Sequence, residues 1–188
     1  MKKTTFAIFF LLLSFVAASS QTSQWSGYYS KNFQFRVSFP GDPKLFTQTL
    51  DEPERKRYTY LVGDDDLAYM VMVSDLHAKA KTPSGDEAKV VGFDLDSPGL
   101  RQGIPNARLI SQRSFAIDGI PGREFVQVKD GIYIRMRLTY NLGRVYVVAA
   151  SVKESLASDP ETQDGMTKFL DSFHFKSPDL SSMPYQEG

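Results

Sequence analysis

Alternation of apolar and polar residues runs through much of the chain and is densest between Arg113 and Val152. There Ser114–Ile117, Arg123–Val128, Ile132–Tyr140 and Val145–Val152 read as four strands of period two. Asp118-Gly119-Ile120-Pro121-Gly122, Asp130-Gly131 and Asn141-Leu142-Gly143 separate them. Asp-Gly between alternating runs predicts type I′ hairpins, because both central residues of that turn need positive φ. An antiparallel meander follows. Upstream, Phe33, Phe35, Val37 and Phe39 alternate with Gln34, Arg36 and Ser38 as a half-buried strand. Pro40-Gly41-Asp42-Pro43 ends it, since neither proline can donate to a ladder. Phe46–Leu50 is a weak second strand, and Arg57–Val62 and Leu67–Val73 flank Gly63-Asp64-Asp65-Asp66 as a further hairpin.

Two stretches switch to helical period. Ser84 with Glu87 three residues on is a capping-box pattern, and Ala88, Val91 and Leu95 share one helical face. Gly92 weakens that helix and Ser97-Pro98-Gly99 breaks it, so it is expected to be short. Near the C-terminus, Ser158 reads as an N-cap with Glu161 at N3 and Pro160 in the first turn. Met166, Phe169, Leu170 and Phe173 then form an i, i+3, i+4, i+7 stripe. The predicted class is α+β: an antiparallel sheet of about six to seven strands with flanking helices.

The chain ends bound the domain. Lys2 and Lys3, an apolar run from Phe6 to Val16 and the small residues Ala17, Ala18, Ser19 and Ser20 have the order of a secretory signal peptide. Cleavage before Ser19 or before Gln21 both suit the small-residue rule. Residues 1–20 are therefore expected to be removed, with one domain over 21–177 and a polar, disordered tail over 178–188. The sequence holds no cysteine, which excludes disulfide frameworks, thiolate metal sites and cysteine nucleophiles. Exported chains without cysteine are ordinary in a bacterial periplasm, so periplasmic or secreted location is the expectation. Lys plus Arg and Asp plus Glu each number 22. Without Lys2 and Lys3 the mature chain carries about −2, which offers no global field for nucleic acid or an anionic membrane.

The residues from Phe33 to Pro43 resemble the opening F-x-V-x-F-P-x-x-P strand and turn of secreted PsbP-like proteins. The resemblance continues through Asp118-Gly119-Ile120-Pro121-Gly122-Arg123-Glu124-Phe125 and Lys168-Phe169-Leu170-Asp171-Ser172-Phe173, and spans roughly Tyr28 to Phe175. It implies an antiparallel sheet sandwiched by helices, and binding or accessory roles in protein complexes rather than catalysis. It carries no catalytic motif, so no residue inherits a role.

Candidate chemistry is sparse. Asp64, Asp65 and Asp66 could offer carboxylates to Ca²⁺, although one turn supplies few ligands and lacks EF-hand spacing. Asp94 and Asp96 are a weaker acidic pair. His77 and His174 have no metal-ligand spacing, and His174 between Phe173 and Phe175 should point away from a buried face. No Gly-x-Ser-x-Gly elbow or phosphate loop occurs. The basic set is the richest. Tyr133, Arg135, Arg137 and Thr139 fall on one strand face, with Arg123 and Arg144 placed near turn ends and Arg36 on its own strand. Guanidinium groups beside tyrosines suit a protein or carboxylate-bearing partner, and the alternative is a solvated face. The expectation is an exported, non-catalytic binding or accessory domain, without cofactor or transmembrane segment in its mature form. A small-ligand or Ca²⁺ carrier is the alternative and a hydrolase the third.

Overall fold

A computed structural model describes residues 25–49, 56–64, 66–75 and 103–175. The expected signal peptide, the Ser84 helix, Asp65, His77, Asp94, Asp96 and the polar tail lie outside the described residues. Nine strands are described: β1 (Ser26–Ser30), β2 (Phe35–Phe39), β3 (Lys44–Thr49), β4 (Lys56–Gly63), β5 (Leu67–Asp75), β6 (Arg108–Ile117), β7 (Ile120–Lys129), β8 (Ile132–Asn141) and β9 (Arg144–Lys153). A 3-10 turn at Glu154–Leu156 leads into helix α1 (Pro160–Ser172). The protein is α+β, mostly antiparallel sheet.

Seven strands form one sheet in the order β3-β4-β5-β9-β8-β7-β6, and β1 pairs with β2 in a separate two-stranded sheet. The predicted meander is β6 to β9, closed by turns with positive φ at Asp118 and Gly119, Asp130 and Gly131, and Leu142 and Gly143. The last of these turns falls within Asn141-Leu142-Gly143, with Leu142 and Gly143 as its central residues. Strand β9 then pairs with β5, which joins the two halves of the sheet. Strand β1 has no counterpart in the sequence reading, because Gly27 and the paired Tyr28 and Tyr29 break the alternation.

Residues facing each other in an antiparallel ladder point to the same side of the sheet. On one side Tyr60, Tyr69, Val71, Val73, Tyr146, Val148, Ala150 and Val152 are buried under β2 and α1. Phe35, Val37 and Phe39 come down from β2, and Met166, Phe169 and Leu170 from α1. The rings interlock: Phe35 stacks on Phe173 at 5.4 Å, and Phe169 lies 5.3 Å from Phe39 and 5.2 Å from Tyr69. On the other side Phe125, Met136, Leu138, Val147 and Ala149 form a second buried cluster.

The helix starts one residue later than Ser158 predicts. Asp159 is the N-cap, its carboxylate accepting from Thr162 N at 2.8 Å, and this holds Asp159 below the usual carboxylate range. Proline suits the first helical position, so the cap is the residue immediately before Pro160. Past the helix, Arg36 and His174 exchange backbone hydrogen bonds of 2.9 Å each, which fastens the exit segment to β2. Phe169→Ala should cost about 3–5 kcal/mol in chemical denaturation, because Phe39 and Tyr69 would lose a shared partner in a fully buried core.

Candidate functional site

The sheet divides the basic residues nominated by sequence. Register sets Arg137 opposite Val148 and Glu124, Arg135 opposite Ala150 and Val126, and Tyr133 opposite Val152 and Val128. All three side chains therefore lie on the side covered by α1, not on an open face. Thr139 is fully buried there, and its hydroxyl donates to Pro121 O at 2.9 Å.

Arg137 is the centre of this group, with a side chain only 12% exposed. Its Nε donates to Glu124 Oε2 at 2.7 Å, Nη1 to Leu170 O at 2.7 Å and Nη2 to Asp171 Oδ1 at 2.6 Å. The guanidinium also lies 5.3 Å from the Phe115 ring centre. Arg113 donates to the other Glu124 oxygen at 2.9 Å, and Arg135 Nη1 donates to Thr167 Oγ1 at 2.8 Å. Thr167 and Asp171 sit four residues apart on α1, so one helical stripe meets alternate residues of β8. Burial by itself pushes the Glu124 carboxyl up, but hydrogen bonds and charge from Arg137 and Arg113 outweigh it and hold it below its usual range. Its ionised form thus contributes stability above the unfolded carboxylate range, and the contribution is lost as pH falls through the lower folded value.

The remaining basic residues are elsewhere. Arg123 pairs with Leu138 and lies on the opposite side of the sheet, where it is half-buried. Arg144, at the start of β9, donates from Nε to Asp75 at 2.9 Å and from Nη1 to Asn32 O at 3.1 Å. Its guanidinium stands 5.0 Å from the Phe33 ring centre. Arg36 belongs to the separate β1–β2 sheet. The six residues do not form one surface.

The acidic turn is used locally. Asp64 Oδ1 accepts from Asp66 N at 2.9 Å and Leu67 N at 3.2 Å, which keeps the Asp64 carboxyl low. Asp66 pairs with Lys153. Among the described residues no three His, Asp or Glu side chains gather as a metal set. His174 does point outward between buried Phe173 and Phe175, as its position predicts. Its Nδ1 is 3.2 Å from Asp118 Oδ1, and Asp118 Oδ2 accepts from Phe175 N at 2.8 Å. That pairing spans 56 residues, and nothing local in the sequence signals it.

Among the described residues, large apolar side chains are exposed in two turns, at Leu142 and Leu156, and on the two edge strands. On β6, Leu109 is 42% and Ile110 49% exposed, and every residue from Arg108 to Ser114 is exposed. On β3, Leu45 is 54% and Phe46 52% exposed. Sequence reading began β6 only at Ser114 and so missed Leu109 and Ile110, and it read Phe46 in a strand without its place at the sheet edge.

No protein-family model matches the chain, and no curated protein matches it. Among solved structures, the chain is similar to cyanobacterial PsbP (CyanoP) from Synechocystis sp. PCC 6803, determined in solution. The TM-score is 0.48 at 17% identity, covering 83% of this chain and 95% of that one. It is also similar to the crystal structure of PA94 from Pseudomonas aeruginosa, a protein of unknown function described as a putative regulator. There the TM-score is 0.33 at 11% identity, with 77% of this chain and 95% of that one covered. The first of these falls in the group that the Phe33–Pro43 strand and turn resemble. Neither match assigns an activity to this chain. No helix among the described residues is long and apolar enough to cross a membrane.

Removing Arg135 and Arg137 would leave folding intact if they lay on a solvated face. With Arg137 committed to a buried carboxylate, Arg137→Ala should instead cost about 3–5 kcal/mol, read by urea denaturation at pH 7. The gap from wild type should narrow between pH 6 and pH 3, because the Glu124 charge that loses its more buried partner, Arg137, is itself being removed. Millimolar Ca²⁺ should leave the melting temperature unchanged within about 1 °C, since a ligand bound only by the native state would raise it.

Proposed function

We propose that the protein is an exported, non-catalytic accessory domain that binds a protein partner along the edge strand β6. The observation that carries this reading is the run of exposed residues from Arg108 to Ser114 with Leu109 and Ile110 as large apolar members. Apolar anchors within a polar surround are the usual anatomy of a protein contact. Arg108 and Arg113 stand near the two ends of this run; each is 63% exposed but already paired within the chain, Arg108 with Glu154 and Arg113 with Glu124, so they form the polar rim of the contact and not its anchors. Contact would be made through side chains more than backbone, because a bulge at Ile110 interrupts the regular ladder. Export is supported by the signal-like residues 1–20, with their order of charged, apolar and small residues. The non-catalytic reading is supported by four described carboxylates, Glu124, Asp171, Asp75 and Asp66, each of which pairs with an arginine or lysine that also ties strands or helix together.

A photo-crosslinking residue placed at Ile110, in protein exported by its own host, should give one discrete heavier species. Adding Leu109→Asp should abolish that species while changing stability by no more than about 0.5 kcal/mol, as expected for an exposed site. The same probe at exposed Glu161 on α1 should not give it. No adduct from position 110, or the same adducts from both positions, would remove β6 as the binding edge.

A further inference from the structure

The other edge of the sheet has a different character. Lys44–Thr49 is exposed at all six positions, is free of a bulge in its pairing with β4, and carries one charge, Lys44, at its first residue. Among the described residues no backbone hydrogen bond reaches it except from β4. Edge strands are ordinarily protected from pairing by bulges, central charges, prolines or very short length. Strand β6 has a bulge and the charges of Arg108 and Arg113; β3 has neither a bulge nor a central charge.

We propose that β3 is a self-pairing edge, through which two copies of this chain join antiparallel into one continuous fourteen-stranded sheet. This goes beyond the β6 reading and uses a separate surface. Symmetry limits the register, and the aromatic pair selects the axis at Phe46. A two-fold axis normal to a continuous sheet pairs only residues whose side chains share a side, so Phe46 can face Phe46 of the second copy but not Thr47. With the axis at Phe46, Leu45 faces Thr47 and Lys44 faces Gln48. The two half-exposed phenylalanines then meet as a cross-strand aromatic pair. The two Lys44 side chains lie four residues apart along the strands, roughly 14 Å, which is beyond the screening length at physiological salt. The strand can therefore pair with itself without opposing like charges at close range. Six residues per copy bury less than a permanent dimer needs, so the affinity expected is in the micromolar range.

Because the chain has no cysteine, a single introduced thiol reports the register directly. Opposed Cα atoms across an antiparallel pair lie about 4.5–5.5 Å apart, within the range a disulfide spans. Phe46→Cys should therefore oxidise to a covalent dimer, while Gln48→Cys, roughly 14 Å from its symmetry mate, should not. In sedimentation equilibrium the mature exported chain should show a concentration-dependent dimer between about 1 and 100 µM. Phe46→Lys should shift it at least tenfold toward monomer, by opposing two like charges at the axis, with circular dichroism unchanged. Ile110→Lys on β6 should leave the dimer intact. A wild-type chain that stays monomeric to 100 µM would overturn the proposal, as would equal crosslinking from positions 46 and 48. A dimer disrupted by Ile110→Lys and not by Phe46→Lys would overturn it as well, placing self-association on the other edge.

Discussion

Strand β9 is the constraint on which the rest of the molecule depends. It is buried on both sides, with Tyr146, Val148, Ala150 and Val152 under α1 and β2, and Val147 and Ala149 in the second cluster. Its pairing with β5 joins two locally connected hairpin systems, β3-β4-β5 and β6-β7-β8-β9, into one sheet. The small Ala149 and Ala150 at its centre leave room on both sides for larger neighbours such as Phe125, Met136, Phe35 and Phe169. Apolar area lost from water along this strand is the main driving term for closing the fold.

Covering that side with a helix has a polar consequence. β8 sends Arg135 and Arg137 toward the same layer, and they must be satisfied beneath or beside α1. Glu124 from β7, Thr167 and Asp171 from α1, and the Leu170 carbonyl supply the partners. Buried ion pairs add little net stability compared with well-packed apolar residues, since desolvation offsets most of their attraction. Their effect here is positional: three donors of one guanidinium reach β7 and two successive helical residues, which limits how far α1 can slide or rotate on the sheet.

The two edges then differ in what they offer to another molecule. β6 is long, exposed and bulged, with arginines near its apolar residues. β3 is short, regular and nearly uncharged, with apolar residues on both sides. One edge suits recognition through side chains, and the other suits backbone pairing. The same sheet can thus hold two kinds of contact without involving its buried faces.

Much of the strand pattern was legible in the residues because hairpins are local. Asp130-Gly131 must turn the chain wherever it is placed, and Met166, Phe169, Leu170 and Phe173 must share a helical side. The class of fold and the meander follow from such short-range rules. The burial of Arg135 and Arg137 was not legible, because alternation reports that two sets of side chains point opposite ways and not which set is covered. Period two assigned Ile132, Ile134, Met136 and Leu138 inward and the arginines outward, whereas both sides of β8 have buried neighbours. Asp118 and His174, or Arg137 and Asp171, come together only once β9 has returned the chain to the sheet and α1 has packed over it. By itself, then, the chain determined its turns, its strands and the apolar stripe of α1, since each depends on neighbours a few residues away. Which charges are buried, which strands are edges and which apolar residues stay exposed were decided by tertiary structure alone, because each depends on what lies across space.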